Sequence, residues 1–388
     1  MTEERTGTVG IVGAGQLARM GWQAAISLDL KLLCLGADDD AAAGAGAPVL
    51  EGSGYDAAAL AALAERCEVL TFEHELVDLA ALAELEARGV RVRPSTAVLR
   101  LAVDKLHQRE TLSEMDGVHV PAYARVSNSD ELRAFDELQA FAAEYGWPLV
   151  LKARSGGYDG RGVWMCPDAD AAAQALEDGR TAGLELYVEE AVAIATEVAV
   201  MVARSPGGEM AVYPPVETFQ VDGMCRWVVL PGHIPEQISA EIEALARTLA
   251  EQIGLEGLMA IELFLTGDER VLVNELALRT HNTGHLHTEA SATSQFEQHL
   301  RAVLDLPLGA TTPVAQAAAM VNVVGPADGS DPASHLPEAL RVPGASVHLY
   351  GKGARPGRKL GHVTVCAETP ERALELARWA ADRLEHND

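Results

Sequence analysis

Four stretches of the chain carry residue types at spacings that could do chemistry. The run Lys152-Ala-Arg154-Ser155-Gly156-Gly157-Tyr158-Asp159-Gly160-Arg161-Gly162 sets four glycines in seven residues among charged side chains. Glycine admits φ > 0 and leaves backbone N–H groups exposed, so such a loop can fold over phosphates. Lys152 stands just before it, placed to neutralise one. The spacing is not G-x-x-x-x-G-K-[ST], which excludes a P-loop, and the interleaved charges argue against a merely flexible hairpin. The second stretch pairs Glu262 in Ala260-Ile-Glu262-Leu-Phe with Glu275 in Val273-Asn274-Glu275-Leu. A short turn at Gly267-Asp268 would make the two segments a hairpin with both carboxylates on one face. Neighbouring buried carboxylates are costly without a compensating cation, and oxygen ligands beside phosphates suit Mg²⁺. Two solvated strand-end glutamates are the alternative. The dense polar string Arg279-Thr280-His281-Asn282-Thr283-Gly284-His285 directly downstream weighs against it.

The third stretch, Lys352-Gly-Ala-Arg355-Pro-Gly-Arg358-Lys359, puts four positive charges into eight residues. A solvated basic loop would read the same way, but such a local reversal of sign suits a phosphomonoester held by Arg forks and Lys point charges. The fourth is Gly10-Ile-Val-Gly13-Ala-Gly15-Gln-Leu-Ala18, a small-residue turn between a strand and a helix, where free N–H groups favour an anion. A dinucleotide site also needs an acid closing the second strand. That strand ends Cys34-Leu35-Gly36, with Asp38 beyond it, so an anion-binding or structural turn is expected rather than NAD binding. Thr71-Phe-Glu73-His74-Glu75 ends another strand of the same sheet, where open α/β sheets bind ligands.

The elements that must position these residues follow from periodicity. Strands at 8–13, 31–35 and 69–72 alternate with helical patterns at 16–27, 56–66 and 76–88, which predicts a parallel α/β sheet ending near residue 100. A single helix is predicted over 95–113, then a connector at 116–121. Strands are expected at 148–153, 163–166, 185–189, 197–203 and 209–213. A long helix at 236–253 precedes strands at 258–265 and 270–275. A smaller unit from about 305 has strands at 318–324, 345–350 and 361–367 and a closing helix.

The whole composition narrows the partners. With 57 acidic against 30 basic residues among 388, net charge is −27, which repels nucleic acid and anionic membrane. Five scattered cysteines (34, 67, 166, 225, 366) without a C-x-x-C fit reduced thiols better than a disulfide or zinc framework. No uncharged apolar run approaches about 18 residues, and the acidic N-terminus does not read as a signal peptide. A soluble cytoplasmic protein of two or three domains is expected.

Taken in order, these segments resemble the ATP-grasp superfamily and, within it, the 5-(carboxyamino)imidazole ribonucleotide synthases of purine biosynthesis. The resemblance runs from about Val9 to His362. It rests on Gly13-Ala-Gly15-Gln16-Leu17-Ala-Arg19-Met20, on 156–162, on Asn274-Glu275-Leu-Ala-Leu-Arg279, on Thr293-Ser294-Gln295-Phe296-Glu297-Gln298-His299-Leu300-Arg301 and on Arg355-Pro-Gly-Arg358-Lys359-Leu-Gly361-His362. It implies an N-terminal Rossmann-like pre-ATP-grasp domain (1–102), an ATP-grasp domain (103–304, with a lid at about 117–188) and a C-terminal α+β domain (305–388). ATP would lie between lid and central sheet. Lys105, Lys152 and the loop Gly157, Tyr158, Asp159, Gly160, Arg161, Gly162 would contact it, with Glu189, Glu190, Ala191 and Val192 on adenine and Glu197 and Gln220 at the ribose. Glu262 and Glu275 would hold Mg²⁺ (or Mn²⁺), helped by Asn274. Arg279 and His281 would hold bicarbonate and carboxyphosphate. Glu73, Tyr158, Asp159 and Arg161 would bind the imidazole and ribose of aminoimidazole ribonucleotide, and Lys352, Arg355, Arg358 and Lys359 its 5′-phosphate. A homodimer is implied by the resemblance alone. Leu278, Thr280, Thr283 and Leu286 differ from the family's usual string, as do Lys105 (often Arg) and Gln220 (sometimes His). The alternatives are another acyl-phosphate ligase, such as a formate-dependent glycinamide ribonucleotide transformylase, or a non-catalytic nucleotide-binding protein.

Overall fold

The computed structural model describes residues 7–127, 130–156 and 162–385. Its first layer is the expected parallel sheet, formed by β1 (Thr8–Val12), β2 (Lys31–Gly36), β3 (Val49–Glu51), β4 (Val69–Phe72) and β5 (Arg91–Val92) in the order β3-β2-β1-β4-β5. Helices α1 (Gln16–Ser27), α2 (Ala57–Arg66) and α3 (Leu79–Ala87) connect its strands. Asp56 and Asp78 start α2 and α3 by accepting N–H groups of the first turn, the N-cap arrangement favoured for Asp. Burial of all five β1 residues is what a parallel strand covered on both faces requires.

The helix expected over 95–113 is two, α4 (Thr96–Val103) and α5 (Lys105–Ser113). Asp104 leaves the helical conformation and caps α5, accepting from the N–H groups of Leu106 and His107 at 3.1 Å. Its other carboxylate oxygen takes Arg154 Nη2 at 2.6 Å, and Lys105 N donates to Arg154 O at 2.8 Å. The break therefore ties the start of α5 to the small sheet that follows.

That sheet comprises β6 (Tyr123–Arg125), β7 (Leu149–Ala153), β8 (Val163–Cys166) and β9 (Leu186–Glu190) in the order β6-β9-β7-β8. It is covered by α6 (Glu131–Tyr145) and α7 (Ala169–Thr181), which share one apolar core with it. β8 is the antiparallel partner of β7, as expected, and the Gly-rich loop joins them.

The large sheet contains β10 (Ile194–Arg204), β11 (Met210–Val212), β12 (Val216–Val221), β13 (Met224–Leu230), β14 (Gly257–Thr266) and β15 (Val271–Ala277), with α8 (Glu236–Gln252) packed on it. β12 and β13 are an addition to the sequence reading. Their hairpin turns at Asp222 (φ 51°) and Gly223 (φ 75°), and Asp-Gly is the sequence signal for a turn needing two positive φ values. After α9 (His287–Ala290) and α10 (Gln295–Val303) come β16 (Ala317–Val324), α11 (Leu336–Ala339), β17 (Ala345–Leu349), β18 (Lys359–Ala367) and α12 (Pro370–Glu385). These last strands do not form a sheet of their own. β16 pairs antiparallel with β13, so the ladder runs on as β15-β14-β10-β12-β13-β16-β18-β17. What changes at the junction is the core: α12 packs with β16 and β18 around Val321, Val363 and Leu376.

Candidate active site

The site lies where β14 and β15 face the small sheet, with α5 beneath. Glu262 and Glu275 are direct cross-strand partners, so the hairpin expected from sequence puts both carboxylates on one face. Lys105 at the start of α5 donates to Glu275 Oε2 at 2.8 Å. Burial opposes ionisation of Glu275, but the Lys105 ammonium outweighs it and holds the carboxyl below its ordinary value. Among the described residues, Glu262 is met by His281 Nε2 at 3.4 Å. Burial, and then the Glu275 charge, push its carboxyl up to about 7. Two adjacent carboxylates, one of them resisting ionisation, with the Asn274 amide alongside, form an oxygen donor set that fits a hard divalent cation such as Mg²⁺.

Lys152, at the end of β7, reaches the same place from the lid. Its ammonium donates to Asn274 Oδ1 at 3.1 Å and to Glu189 Oε2 at 2.8 Å. Burial lowers its pKa despite the Glu189 charge. Both expected phosphate lysines thus converge on the expected metal ligands, one from each side of the cleft.

The Glu189 carboxylate, 2% exposed, faces inward and takes Arg109 Nε at 2.8 Å and Arg109 Nη2 at 2.6 Å as well as Lys152, which leaves its main chain for any contact with a base. Glu190 accepts from Ala122 N at 2.9 Å. Ala191 and Val192 lie in the link from β9 to β10, where Val192 O accepts from Ile194 N at 2.9 Å. Glu197 and Gln220 lie near each other, and burial raises the Glu197 carboxyl, with Gln220 acting in the opposite direction.

Sequence reading missed the layer beneath. Lys105, Gln108 and Arg109 share one face of α5 at helical spacing. Gln108 accepts from Leu276 N at 3.0 Å and donates to Leu276 O at 3.2 Å. Arg109 donates to the carbonyls of Val273 at 2.6 Å and Asn274 at 2.8 Å. α5 therefore fixes the backbone on both sides of Glu275. The available signal was a helix whose buried face carries Gln108 and Arg109, since buried polar groups must find partners.

Downstream, Arg279 Nε contacts Glu75 Oε2 at 3.1 Å, joining β15 to the end of β4. Gln295 clamps His281 by both backbone groups, accepting from its N–H at 2.8 Å and donating to its carbonyl at 2.7 Å. Thr283 Oγ1 lies 3.0 Å from His281 Nδ1, so the departure at 283 keeps a hydroxyl on the imidazole. Leu278 and Leu286 are buried and alter packing only.

The Gly13–Gly15 turn does bind an anion, and the anion is internal. Glu73 accepts from Gly15 N with one oxygen and from Ala18 N at 2.8 Å with the other. Gly13 has φ 113°, and a Cβ there would lie 2.3 Å from Glu73 Cγ, so the glycine makes room for this carboxylate. Glu73 thereby anchors the start of α1, at the end of β4 where the substrate was expected. Next to it, Lys352 donates to the Gln16 side-chain oxygen. Gly15, Asp39, Asp40, Lys352 and Arg358 line an open cleft of about 480 Å³. Arg358 Nη1 donates to Gly353 O at 3.0 Å. Arg355 is exposed at the tip of the loop, and the Lys359 charge is felt at Glu262. The four cations are thus divided: Lys352 and Arg358 on the cleft, Lys359 toward the carboxylate pair, Arg355 outside. Gly157, Tyr158, Asp159, Gly160 and Arg161 lie outside the described residues, and Gly162 closes the loop with φ 75°.

Comparison with known proteins matches three family models to the chain. Residues 6–103 match the family described as ribonucleotide synthetase preATP-grasp domain, 111–296 the ATP-grasp domain, and 318–376 the phosphoribosylaminoimidazole carboxylase C-terminal domain. The N5-carboxyaminoimidazole ribonucleotide synthase of Mycobacterium tuberculosis is 44% identical over 386 residues, covering 97% of this chain and 88% of that one. The Synechococcus elongatus protein of that name is 43% identical, covering 96% and 93%. The crystal structure of the Aspergillus clavatus synthase with ADP and 5-aminoimidazole ribonucleotide superimposes with a TM-score of 0.87 at 34% identity, covering 99% of each chain. Among the described residues no helix is long and apolar enough to cross a membrane.

Proposed function

From the premise that the chain belongs to the N5-carboxyaminoimidazole ribonucleotide synthase family of ATP-grasp ligases, we propose how its own residues carry out the reaction. The enzyme carboxylates 5-aminoimidazole ribonucleotide at the expense of ATP. A bicarbonate oxygen attacks the γ-phosphorus, ADP leaves, and carboxyphosphate forms. The exocyclic amine then takes the carboxyl group, either from carboxyphosphate or from CO₂ released in place, and phosphate departs.

The observation that carries this reading is the Glu262–Glu275 cross-strand pair lying under Lys105 and Lys152. Phosphoryl transfer asks the protein mainly for alignment and charge neutralisation. Lys105 and Lys152 take the phosphates, exchanging their carboxylate and amide partners for them. Glu262, Glu275 and Asn274 hold Mg²⁺ (Mn²⁺ can replace it), which when bound offsets charge on the transferring phosphoryl oxygens. Glu197 and Gln220 hold the nucleotide ribose, and the backbone of 190–192 borders the base. Arg279, already aligned by Glu75, and His281, already aligned by Gln295, hold bicarbonate and carboxyphosphate. Lys352 and Arg358 bind the 5′-phosphate, with Arg355 as an outer contact. Tyr158, Asp159 and Arg161 are expected from the resemblance to contact the imidazole and ribose, and excluding water protects the acyl phosphate.

The domains are taken as 1–102, 103–304 and 305–388, with the lid at about 117–188. Five scattered cysteines without a C-x-x-C suit a cytoplasmic enzyme, and a homodimer is expected from the family. Bicarbonate labelled with ¹⁸O tests the first step. One labelled oxygen should appear in each phosphate released, whereas unlabelled phosphate would falsify attack by bicarbonate on ATP.

A further inference from the structure

Behind the basic loop, where β17 and β18 meet α9, lies a polar cluster that the reaction does not use. His348 and His362 are direct cross-strand partners, with ring centroids 4.6 Å apart. His285 stacks on the other face of His362 at 4.4 Å. Glu289 on α9 reaches over, with Oε1 at 2.6 Å from His348 Nε2. One donor atom each from Glu289, His348 and His362 can be chosen so that all lie within 4.8 Å of one another.

Several of these atoms are buried without a hydrogen-bond partner among the described residues: His362 Nε2, Glu289 Oε2 and both ring nitrogens of His285. His362 and His285 are themselves 0% exposed. Leaving buried polar atoms unpaired is costly, and those of Glu289 and His362 belong to the cluster that gathers with His348. The second ring nitrogen of His362 explains the arrangement. Nδ1 lies 2.8 Å from the hydroxyl of Tyr350, also fully buried. With Nδ1–H donating to that oxygen, Nε2 carries a bare lone pair. A metal-ligating histidine is usually oriented in this way.

We propose that Glu289, His348 and His362 form a binding site for a single borderline divalent ion of the Zn²⁺ type, separate from the Mg²⁺ ligands Glu262 and Glu275. Two imidazole nitrogens and one carboxylate oxygen suit Zn²⁺, Co²⁺ or Ni²⁺ and not Mg²⁺, which prefers oxygen donors and retains its water. Bond lengths of about 2.0–2.2 Å need donors about 3.3 Å apart. Binding therefore opens the short His348–Glu289 contact and draws His362 in. The ion would pin β17 and β18, which flank the 352–359 loop, to α9 just after the His281–His285 string.

The test uses the full chain without a histidine tag, stripped with EDTA and returned to buffer with excess Mg²⁺. Zn²⁺ is then titrated against a chromophoric chelator. We expect one equivalent bound more tightly than about 1 µM and unaffected by Mg²⁺. Co²⁺ in its place should give a visible absorption band of four- or five-coordinate metal. Glu289→Gln and His348→Gln should each abolish this binding, and Tyr350→Phe should weaken it about tenfold through the His362 ring. If the wild-type protein takes up no stoichiometric Zn²⁺ at 10-fold excess, the proposal fails and the cluster is a hydrogen-bonded one filled by water. It fails equally if Glu289→Gln and His348→Gln both retain the full equivalent, which would place the ion elsewhere. The wild-type titration decides the question even where a variant does not fold.

Discussion

Glu262 and Glu275 face each other with unequal partners, and that inequality has a pH signature. Lys105 holds Glu275 ionised, while Glu262 titrates near 7. A metal must displace the proton from Glu262, so metal affinity falls as pH drops through 7. Mn²⁺ retained in the ADP complex, counted by electron paramagnetic resonance, should weaken toward about tenfold per pH unit below 7. In Glu262→Gln the binding should be weak and this slope absent; an unchanged slope would assign the titration to another group. Glu275→Gln should lower turnover by about a thousandfold. Its folding midpoint should fall only modestly, since the pair with Lys105 is partly buried (15% and 36% exposed) but the amide oxygen of Gln can still accept from the ammonium; full activity would sink the metal assignment. On the cleft, Lys352→Ala or Arg358→Ala should raise the KM for the ribonucleotide about tenfold or more, as expected for a lost charge-assisted contact. The KM for ATP should stay near its original value, and the reverse pattern would move the basic loop to the nucleotide.

Helix α5 is the element on which the site is built, because one face of it holds Glu275 by side chain and the residues around it by backbone. Its Asp104 cap also links it to Arg154 at the root of the Gly-rich loop. Asp104→Ala should cost about 1 kcal/mol for the lost cap and raise the KM for ATP by misplacing Lys105, measured by urea unfolding and initial rates. Arg109→Ala removes one partner of a pair 2% exposed on each side. Breaking such a pair costs about 3–5 kcal/mol, because a buried charge is left uncompensated; a loss below about 1 kcal/mol in urea unfolding would show that water replaces the guanidinium. This supporting layer was the least legible part of the sequence. The β14–β15 hairpin and the Gly-rich turn announce themselves through local composition, as does the alternation of strands and helices. The partners of Arg109 are 80 and more residues away, and no local pattern specifies them. The division at Asp104 and the Asp222-Gly223 hairpin carry sequence signals of their own, an N-cap residue and a turn pair respectively.

Across the whole molecule, one continuous sheet joins β15 at the carboxylate pair to β18 at the basic loop. The two proposed substrate subsites would therefore share a single framework. Sequence order suggests three successive units. That the last two share a ladder depends on β13 pairing with β16, a long-range choice that strand pattern alone leaves open. Glu73 shows the same limit, since its string at the end of β4 was visible as a ligand-binding position. That it also holds the start of α1, in the space left by Gly13, was not visible there. In a protein of net charge −27, anionic substrates are drawn in only where such local cations as Lys105, Lys152, Lys352 and Arg358 gather. Both subsites must then be filled for productive turnover. The most direct measurement is ADP release by the purified protein with Mg-ATP and bicarbonate, with and without 5-aminoimidazole ribonucleotide, while following loss of the free amine. ADP formation that depends on the ribonucleotide, with one amine consumed per ADP, is the result expected. ADP release that ignores the ribonucleotide, or that responds instead to formate and glycinamide ribonucleotide, would contradict the account.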